Sequence, residues 1–423
     1  MTDFDTVDYF TDPELVPDPY PYFDHLRDKC PVLHQPGAGV VAVTGHQEVM
    51  SAYSDRESFS SCVSVVGPLS GVSFDSDADD ISELIERVRD QIPMAEHVVT
   101  MDGAEHLRTR GLLGRILTPR RMKDNEEFIR RCAERQLDEF IAAGRCEFME
   151  DYARPFSALV VADLLGVPEE EHQRFRRVLA GQNVGDLEEA LDFNPLAFLS
   201  DTFTAYIEDR RRAPRPDVLT VLAQATYPDG STPDVAVVVN LATFLFAAGQ
   251  ETTTKLLTAA LRVIAEDQSI QQRLRDDHSL IAGFIEESLR LESPVKSHFR
   301  LAKTATTIGD VPIGPGTTVM LLPGACNRDP RKFEDPNEFR LERENAKDHV
   351  AFGRGVHACP GAPLARTEGR ISLELILDRM RDIAIDESAH GPAGNRNYTY
   401  DPTFVLRGLS NLHLTFTPVD AGA

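Results

Sequence analysis

Apolar residues recur at helical spacing over most of the chain. The pattern predicts helices at 46–54, 81–92, 104–117, 124–142, 147–165, 169–181, 195–212, 216–225, 233–266, 268–275, 278–292 and 361–381. Strand-like runs are fewer. Val32–Leu33 and Val40–Val43 flank Gly37-Ala38-Gly39 and predict a hairpin. The remaining strand-like pieces fall at 300–321 and near the C-terminal end. The start is rich in proline and aromatic residues, Pro17-Asp18-Pro19-Tyr20-Pro21-Tyr22-Phe23, and carries no predicted element. Residues 63–80, with Gly67, Gly71 and several Ser and Asp, read as a long loop. With no repeat and no low-complexity linker, the expected fold is mainly α with small β-sheets, in a single domain over 1–423. Segments 1–16 and 419–423 are expected to be loosely ordered.

Composition narrows the function classes. The chain has 423 residues, of which 42% are hydrophobic, enough for a sizeable core. Lys and Arg number 44 against 68 Asp and Glu, a net charge of −24. That excess argues against nucleic acid or an anionic membrane as the main partner. The six cysteines, Cys30, Cys62, Cys132, Cys146, Cys326 and Cys359, form no CxxC pair. Neither a zinc cage nor a disulfide scaffold is expected, and most should be buried, reduced thiols. The acidic start Met1-Thr2-Asp3-Phe4-Asp5 has no apolar run after it, unlike a signal peptide. The most apolar stretch, Val235–Ala248, contains Asn240 and Thr243 and falls short of the ~20 residues of a membrane span. A cytoplasmic protein is expected.

One cysteine has unusual surroundings. Phe352-Gly353-Arg354-Gly355-Val356-His357-Ala358-Cys359-Pro360-Gly361 is a tight loop just before the predicted helix at 361–381. A thiol before a helix N-terminus, with His357 and Arg354 nearby, is favoured as thiolate. The bland alternative is a buried cysteine in a glycine-rich turn. A second anomaly lies within the longest predicted helix, which opens at Thr232-Pro233-Asp234. Ala248-Gly249-Gln250-Glu251-Thr252-Thr253-Thr254 places a glycine and three β-branched threonines in a helix interior, where they are poor choices. Such a broken local rule often marks a working site. A bent core helix with a solvated glutamate is the alternative. Third, Glu287-Ser288-Leu289-Arg290 sets an acid and a base three residues apart on one helical face, usually a solvated pair. Finally, Leu107 to Lys123 contains no acid but carries Arg108, Arg110, Arg115, Arg120, Arg121 and Lys123.

Together these motifs resemble the cytochrome P-450 monooxygenases, and the resemblance runs from Pro17 to about Pro418. It implies a single-domain cytochrome P-450 fold of the soluble bacterial type, containing haem b (iron protoporphyrin IX). By resemblance, Cys359 is the proximal iron ligand, Phe352 shields its sulfur, and Gly353 and Gly361 let the backbone approach. His106, Arg110, Arg300 and His357 would meet the haem propionates. Gly249 belongs to the oxygen-activating motif. There Thr252 would hydrogen-bond bound dioxygen and Glu251 would relay protons from solvent. Glu287 and Arg290 would tie their helix to the region that leads to the cysteine. Family members often carry Arg just before Phe339, where this chain has Glu338, so Arg340 or Arg343 would complete that network.

The implied reaction inserts one oxygen atom from O2 into an apolar small molecule, such as a steroid, terpenoid or fatty acid. Substrate-facing candidates are Phe244, Leu245, Ala248, Val295, Phe404 and Val405. Ile92, Met94, Val98, Val99 and Val184 are fainter ones. Lys296 and His298 are expected at solvent, or against a substrate carboxylate. No flavin domain or dinucleotide motif is seen, so electrons are expected from a ferredoxin and its reductase. Arg108, Arg115 and Arg120 would form the docking patch of a monomeric enzyme. Two other classes are a peroxide-driven haem-thiolate enzyme and a non-catalytic haem sensor or ligand-binding protein.

Overall fold

A computed structural model describes residues 4–35, 39–75, 77–175 and 195–419. Its strands, in chain order, are β1 (Val32–Gln35), β2 (Val40–Val43), β3 (Phe59–Ser60), β4 (Arg145–Glu147), β5 (His298–Ala302), β6 (Thr306–Ile308), β7 (Val311–Ile313), β8 (Thr318–Leu321), β9 (Met380–Ile385) and β10 (His413–Pro418). The rest of the ordered structure is helical, as the periodicity predicts. Two helices, His46–Ser54 and Pro195–Arg212, have the bounds read from the pattern.

The contacts divide the chain into two compact units. The first comprises Met1–Leu107, Gly283–Cys359 and Tyr398–Ser410. Its main sheet has the order β1-β2-β8-β5-β3. β1 and β2 form the expected antiparallel hairpin, Val32 opposite Val43. β2 then runs parallel to β8, so Val40–Val43 is covered on both faces and reads as a continuous apolar run. One sheet face carries Val41, Val43, Val319 and Leu321, and the other, with Val40, Ala42, Phe299 and Met320, packs on Tyr22 and Phe23. The helix Tyr20–Lys29 was not expected from the proline-rich start. Pro21 stands at its second residue, where a missing N–H costs no helical bond.

The second unit comprises Arg108–Ala282, Pro360–Asn397 and Asn411–Ala423. At its centre, Val235–Glu266 packs on Arg154–Leu165 and Pro195–Arg212. Thr118 caps Pro119–Phe140, its hydroxyl accepting from Arg121 N at 3.1 Å. The long helix starts at Val235, past the expected Thr232-Pro233 cap, and Asp234 makes no side-chain cap bond. By length and composition this helix could cross a membrane, so the shortness argued from Val235–Ala248 does not hold for the whole element. The second sheet has the order β4-β10-β9. β4 corrects the expectation that, beyond the early hairpin, strands lie only at 300–321 and near the C-terminal end. Three residues suffice because Cys146 and Arg145 pair with Leu414 and Thr415.

Candidate functional site

In the first unit the cysteine loop is built by backbone bonds. Cys359 N donates to the Phe352 carbonyl at 2.8 Å and Gly353 N to that of Val350 at 2.8 Å. Gly353 and Gly355 have φ of 63° and 70°, a region that favours glycine. At Gly355 a side chain would also put its Cβ 2.6 Å from the Tyr53 carbonyl oxygen. The loop leaves Cys359 as the one exposed cysteine. Cys62, Cys132, Cys146 and Cys326 are buried. Burial pushes the Cys62 thiol up to about 11 and the Cys132 thiol to about 12, and raises those of Cys146 and Cys326 as well. These four are inert thiols at neutral pH.

Of the four groups expected at the propionates, His106, Arg300 and His357 lie in this unit with Cys359. His106 is buried, and its ring stacks on that of His357 at 3.9 Å. His357 Nε2 is 3.0 Å from Ser61 Oγ. Asp102 accepts from Ser61 N at 2.9 Å and from the Ser60 hydroxyl, so it fixes the strand end that carries Ser61. Arg300 is buried on β5. It donates to the Phe299 carbonyl at 2.7 Å and lies 5.7 Å from the Tyr53 ring centroid. Among the described residues no carboxylate lies within ion-pair distance of it, and burial lowers its pKa. A buried guanidinium short of an anion fits a group that brings its own carboxylates, as haem does with its propionates. On the same strand His298 Nδ1 meets the Tyr53 hydroxyl at 2.5 Å. Burial, reinforced by Arg300, lowers its pKa to about 3 and keeps it neutral.

The Glu287–Arg290 pair is fully buried, with bonds of 2.7 and 2.8 Å. The third member is Arg343, whose Nε donates to Glu287 Oε1 at 2.9 Å. Arg340 contributes only its backbone N–H, at 3.0 Å, and its guanidinium turns to Asp335 and Glu338. Arg290 donates onward to the carbonyls of Asn327, Pro336 and Glu338. The pair therefore tethers its helix to the segment leading to the cysteine loop. Lys296 differs from the solvent expectation. It is buried, 5.8 Å from the Tyr9 ring centroid, and burial brings its pKa down to about 8. Val295 bridges Leu406. Phe404 and Val405 are partly buried against the aromatic core, Phe404 lying 5.3 Å from Phe10 and 5.9 Å from Phe299.

In the second unit the long helix is α-helical throughout the Gly249–Thr254 motif. Two of its threonines bond locally: Thr252 Oγ1 donates to the Ala248 carbonyl at 2.7 Å and Thr254 Oγ1 to that of Gln250 at 2.9 Å. A Cβ on Gly249 would lie 3.0 Å from Val161, so glycine permits the close approach of Arg154–Leu165. Glu251 pairs with Lys255, Oε1 to Nζ at 2.8 Å. Residues 241–243 and 253–258 are buried, yet within 244–252 only Phe246 is. Phe244, Leu245, Ala248, Gly249, Glu251 and Thr252 are all partly open. Arg110 is half-buried on Gly103–Leu113, and Gly361 caps Ala362–Arg379. Val184 lies outside the described residues. The sequence reading missed Ser61, Asp102 and Lys255. Lys255, one turn beyond Glu251, was the one that spacing could have flagged.

Comparisons with known proteins agree on one family. A sequence model described as cytochrome P450 matches residues 192–388. Cytochrome P450 109 of Bacillus spizizenii is 30% identical over 88% of this chain and 86% of its own. Cytochrome P450 144 of Mycobacterium tuberculosis is 34% identical over 90% and 86%. Substrate-free CYP150A6 of Mycobacterium marinum superposes with a TM-score of 0.94 at 60% identity, over 99% of this chain and 100% of that one. CYP109E1 of Bacillus megaterium, solved with corticosterone, gives 0.79 at 27% identity over 95% and 99%. With these likenesses spanning its length, the chain belongs to the cytochrome P450 family of haem monooxygenases.

Proposed function

We propose that this monooxygenase inserts one atom of O2 into an apolar small molecule of steroid, terpenoid or fatty-acid type, with electrons delivered by a separate ferredoxin and reductase. Haem b would be held at the iron by Cys359. Its propionates would meet His106, Arg110, Arg300 and His357. When bound, the haem supplies the centre at which dioxygen is reduced and one of its atoms transferred. The observation that carries this reading is Cys359 itself. It is the exposed thiol in a backbone-braced loop, while four other cysteines are buried and held protonated.

The remaining chemistry belongs to the chain. Gly353 and Gly361 would leave the backbone free to approach the cofactor, and Phe352 would cover the sulfur. The Thr252 hydroxyl proton is engaged by the Ala248 carbonyl. To act on oxygen it must turn from that carbonyl, an exchange of one hydrogen bond for another of similar strength. The Glu251 carboxylate is 37% exposed, so its Oε atoms can take protons from solvent and pass them inward. Phe244, Leu245 and Ala248, partly uncovered between the buried runs 241–243 and 253–258, suit an apolar ligand. The solved complexes of CYP109E1 with corticosterone and with testosterone point first to steroids. The enzyme would work as a cytoplasmic monomer.

Turnover under isotopically labelled dioxygen, with NAD(P)H, ferredoxin and reductase, tests the reaction. One labelled oxygen atom per product is expected. Product oxygen drawn from water, or turnover with peroxide but never with the redox chain, would overturn it. Substrate class is read by haem spin-state change. A response to steroids is expected, and silence from steroids, terpenoids and fatty acids alike would contradict the apolar substrate.

A further inference from the structure

The turn that carries Phe404 and Val405 has little sheet structure of its own. Thr403 Oγ1 accepts from Val405 N at 3.2 Å and from Leu406 N at 3.3 Å, and Leu406 pairs with Val295 in a single bridge. Two segments of the same unit place this turn. The first leads into β5: Lys296 N donates to the Val405 carbonyl at 2.8 Å and the Ser297 hydroxyl to that of Phe404 at 2.6 Å. The second is the N-terminal segment. Asp8 and Asp12 shape it, each side chain accepting from the backbone N–H two residues on. Tyr9, only 6% exposed, donates its hydroxyl to the Phe404 carbonyl at 2.7 Å. The Phe10 ring meets that of Phe404 edge-on. Arg407 donates back to the carbonyls of Val16 and Pro17 at 2.7 and 2.9 Å.

Ser297 alone satisfies the Phe404 carbonyl, so the second donor is not needed to avoid a stranded polar group. Two donors on one oxygen restrain its direction as well as its distance. Burial raises the pKa of the Tyr9 phenol and keeps it protonated, hence a donor. A cavity of about 110 Å³ lies between this segment and Tyr22, Val40 and Met320, so close packing does not by itself fix Tyr9. We propose that Tyr9 is a specificity-determining positioning residue: bonded to the Phe404 carbonyl, it sets how far Phe404 and Val405 stand into the substrate space. The start of the chain thereby belongs to the substrate-binding apparatus. This inference rests on the substrate-facing role proposed for Phe404 and Val405 and adds what holds them.

Tyr9→Phe keeps the ring and removes only the bond. The Soret shift of haem-loaded enzyme is titrated with clotrimazole, an imidazole carrying three aryl rings, and with imidazole itself, which reports the iron alone. Tyr9→Phe is expected to weaken clotrimazole about two- to tenfold, the reach of one hydrogen bond, because a turn with one tether fewer is less pre-organised. Imidazole affinity should match wild type. Ser297→Ala removes the other donor. The double variant should lose more than the product of the single effects, because both act on one carbonyl. Phe404→Ala and Val405→Ala read the turn directly. If neither changes the ratio of clotrimazole to imidazole affinity, the substrate-facing reading itself fails. If either does and Tyr9→Phe does not, that reading stands and the role of Tyr9 is overturned. Equal weakening of both ligands by Tyr9→Phe, or single effects that simply multiply, also overturns it.

Discussion

Glu368 sits on Ala362–Arg379, 1% exposed, with Oε2 making no hydrogen bond among the described residues. Burial raises its carboxyl well above the usual range, opposed only by a hydrogen bond with Thr253. A folded-state pKa above the unfolded value contributes stability that is full below the unfolded pKa and is lost as pH rises. Glu368→Gln keeps the shape and removes the ionisation. It should therefore unfold later than wild type at about pH 8, with the gap narrowing as pH falls toward about 4, where the carboxyl becomes neutral in the unfolded chain as well. Urea melts across that range check it, and a gap that is flat or widens toward acid would contradict it. Arg343 offers a second case. Removing Arg343 leaves Glu287 paired with Arg290 but strips it of a buried, charge-assisted hydrogen bond, so Arg343→Ala should cost about 1.5–3 kcal/mol. Arg340→Ala, whose guanidinium is in solvent, should leave the denaturation midpoint unchanged apart from small surface effects. Equal effects from the two would mean that Arg343 is not the third member. The sequence could name this pair but not choose between them. Both arginines follow Phe339 closely, and only the fold turns one guanidinium inward.

Helices with strong periodicity were legible almost to the residue, as His46–Ser54 and Pro195–Arg212 show. The misses have definite causes. Tyr20–Lys29 was hidden by prolines that a helix tolerates in its first turn and nowhere else. β4 has no pattern of its own and exists because β10 lies beside it. The acid-free segment 107–123 was visible, but its arginines are used differently. Arg121 donates to the Asp163 carbonyl, and Arg108 lies 4.0 Å over the Tyr227 ring. Arg115 is exposed, and Arg120 is 93% exposed. The latter two, with Arg108 held in place by its ring contact, remain the docking candidates for an acidic electron carrier. Arg115→Glu with Arg120→Glu should slow electron transfer at low salt at least several-fold and flatten its salt dependence. Stopped-flow reduction at two ionic strengths checks this. Unchanged rates and slopes would remove the patch.

Across the chain, the net charge of −24 and the six cysteines are averages that conceal the informative places. The charge hides a basic stretch, and the cysteine count hides a division between four buried thiols and one in a braced, exposed loop. Motif spacing was enough to single out Cys359, because loop closure by Gly353 and Gly355 is written locally. The environment of Arg300 was not legible, since its burial without an anion depends on β5 pairing with β3 and β8. The most direct test of the account is the absorption spectrum of the reduced carbon monoxide complex, wild type against Cys359→Ser. Wild type should give the red-shifted Soret band of thiolate-ligated haem, and the serine variant should lose it. A variant that kept the band would show that Cys359 is not the ligand.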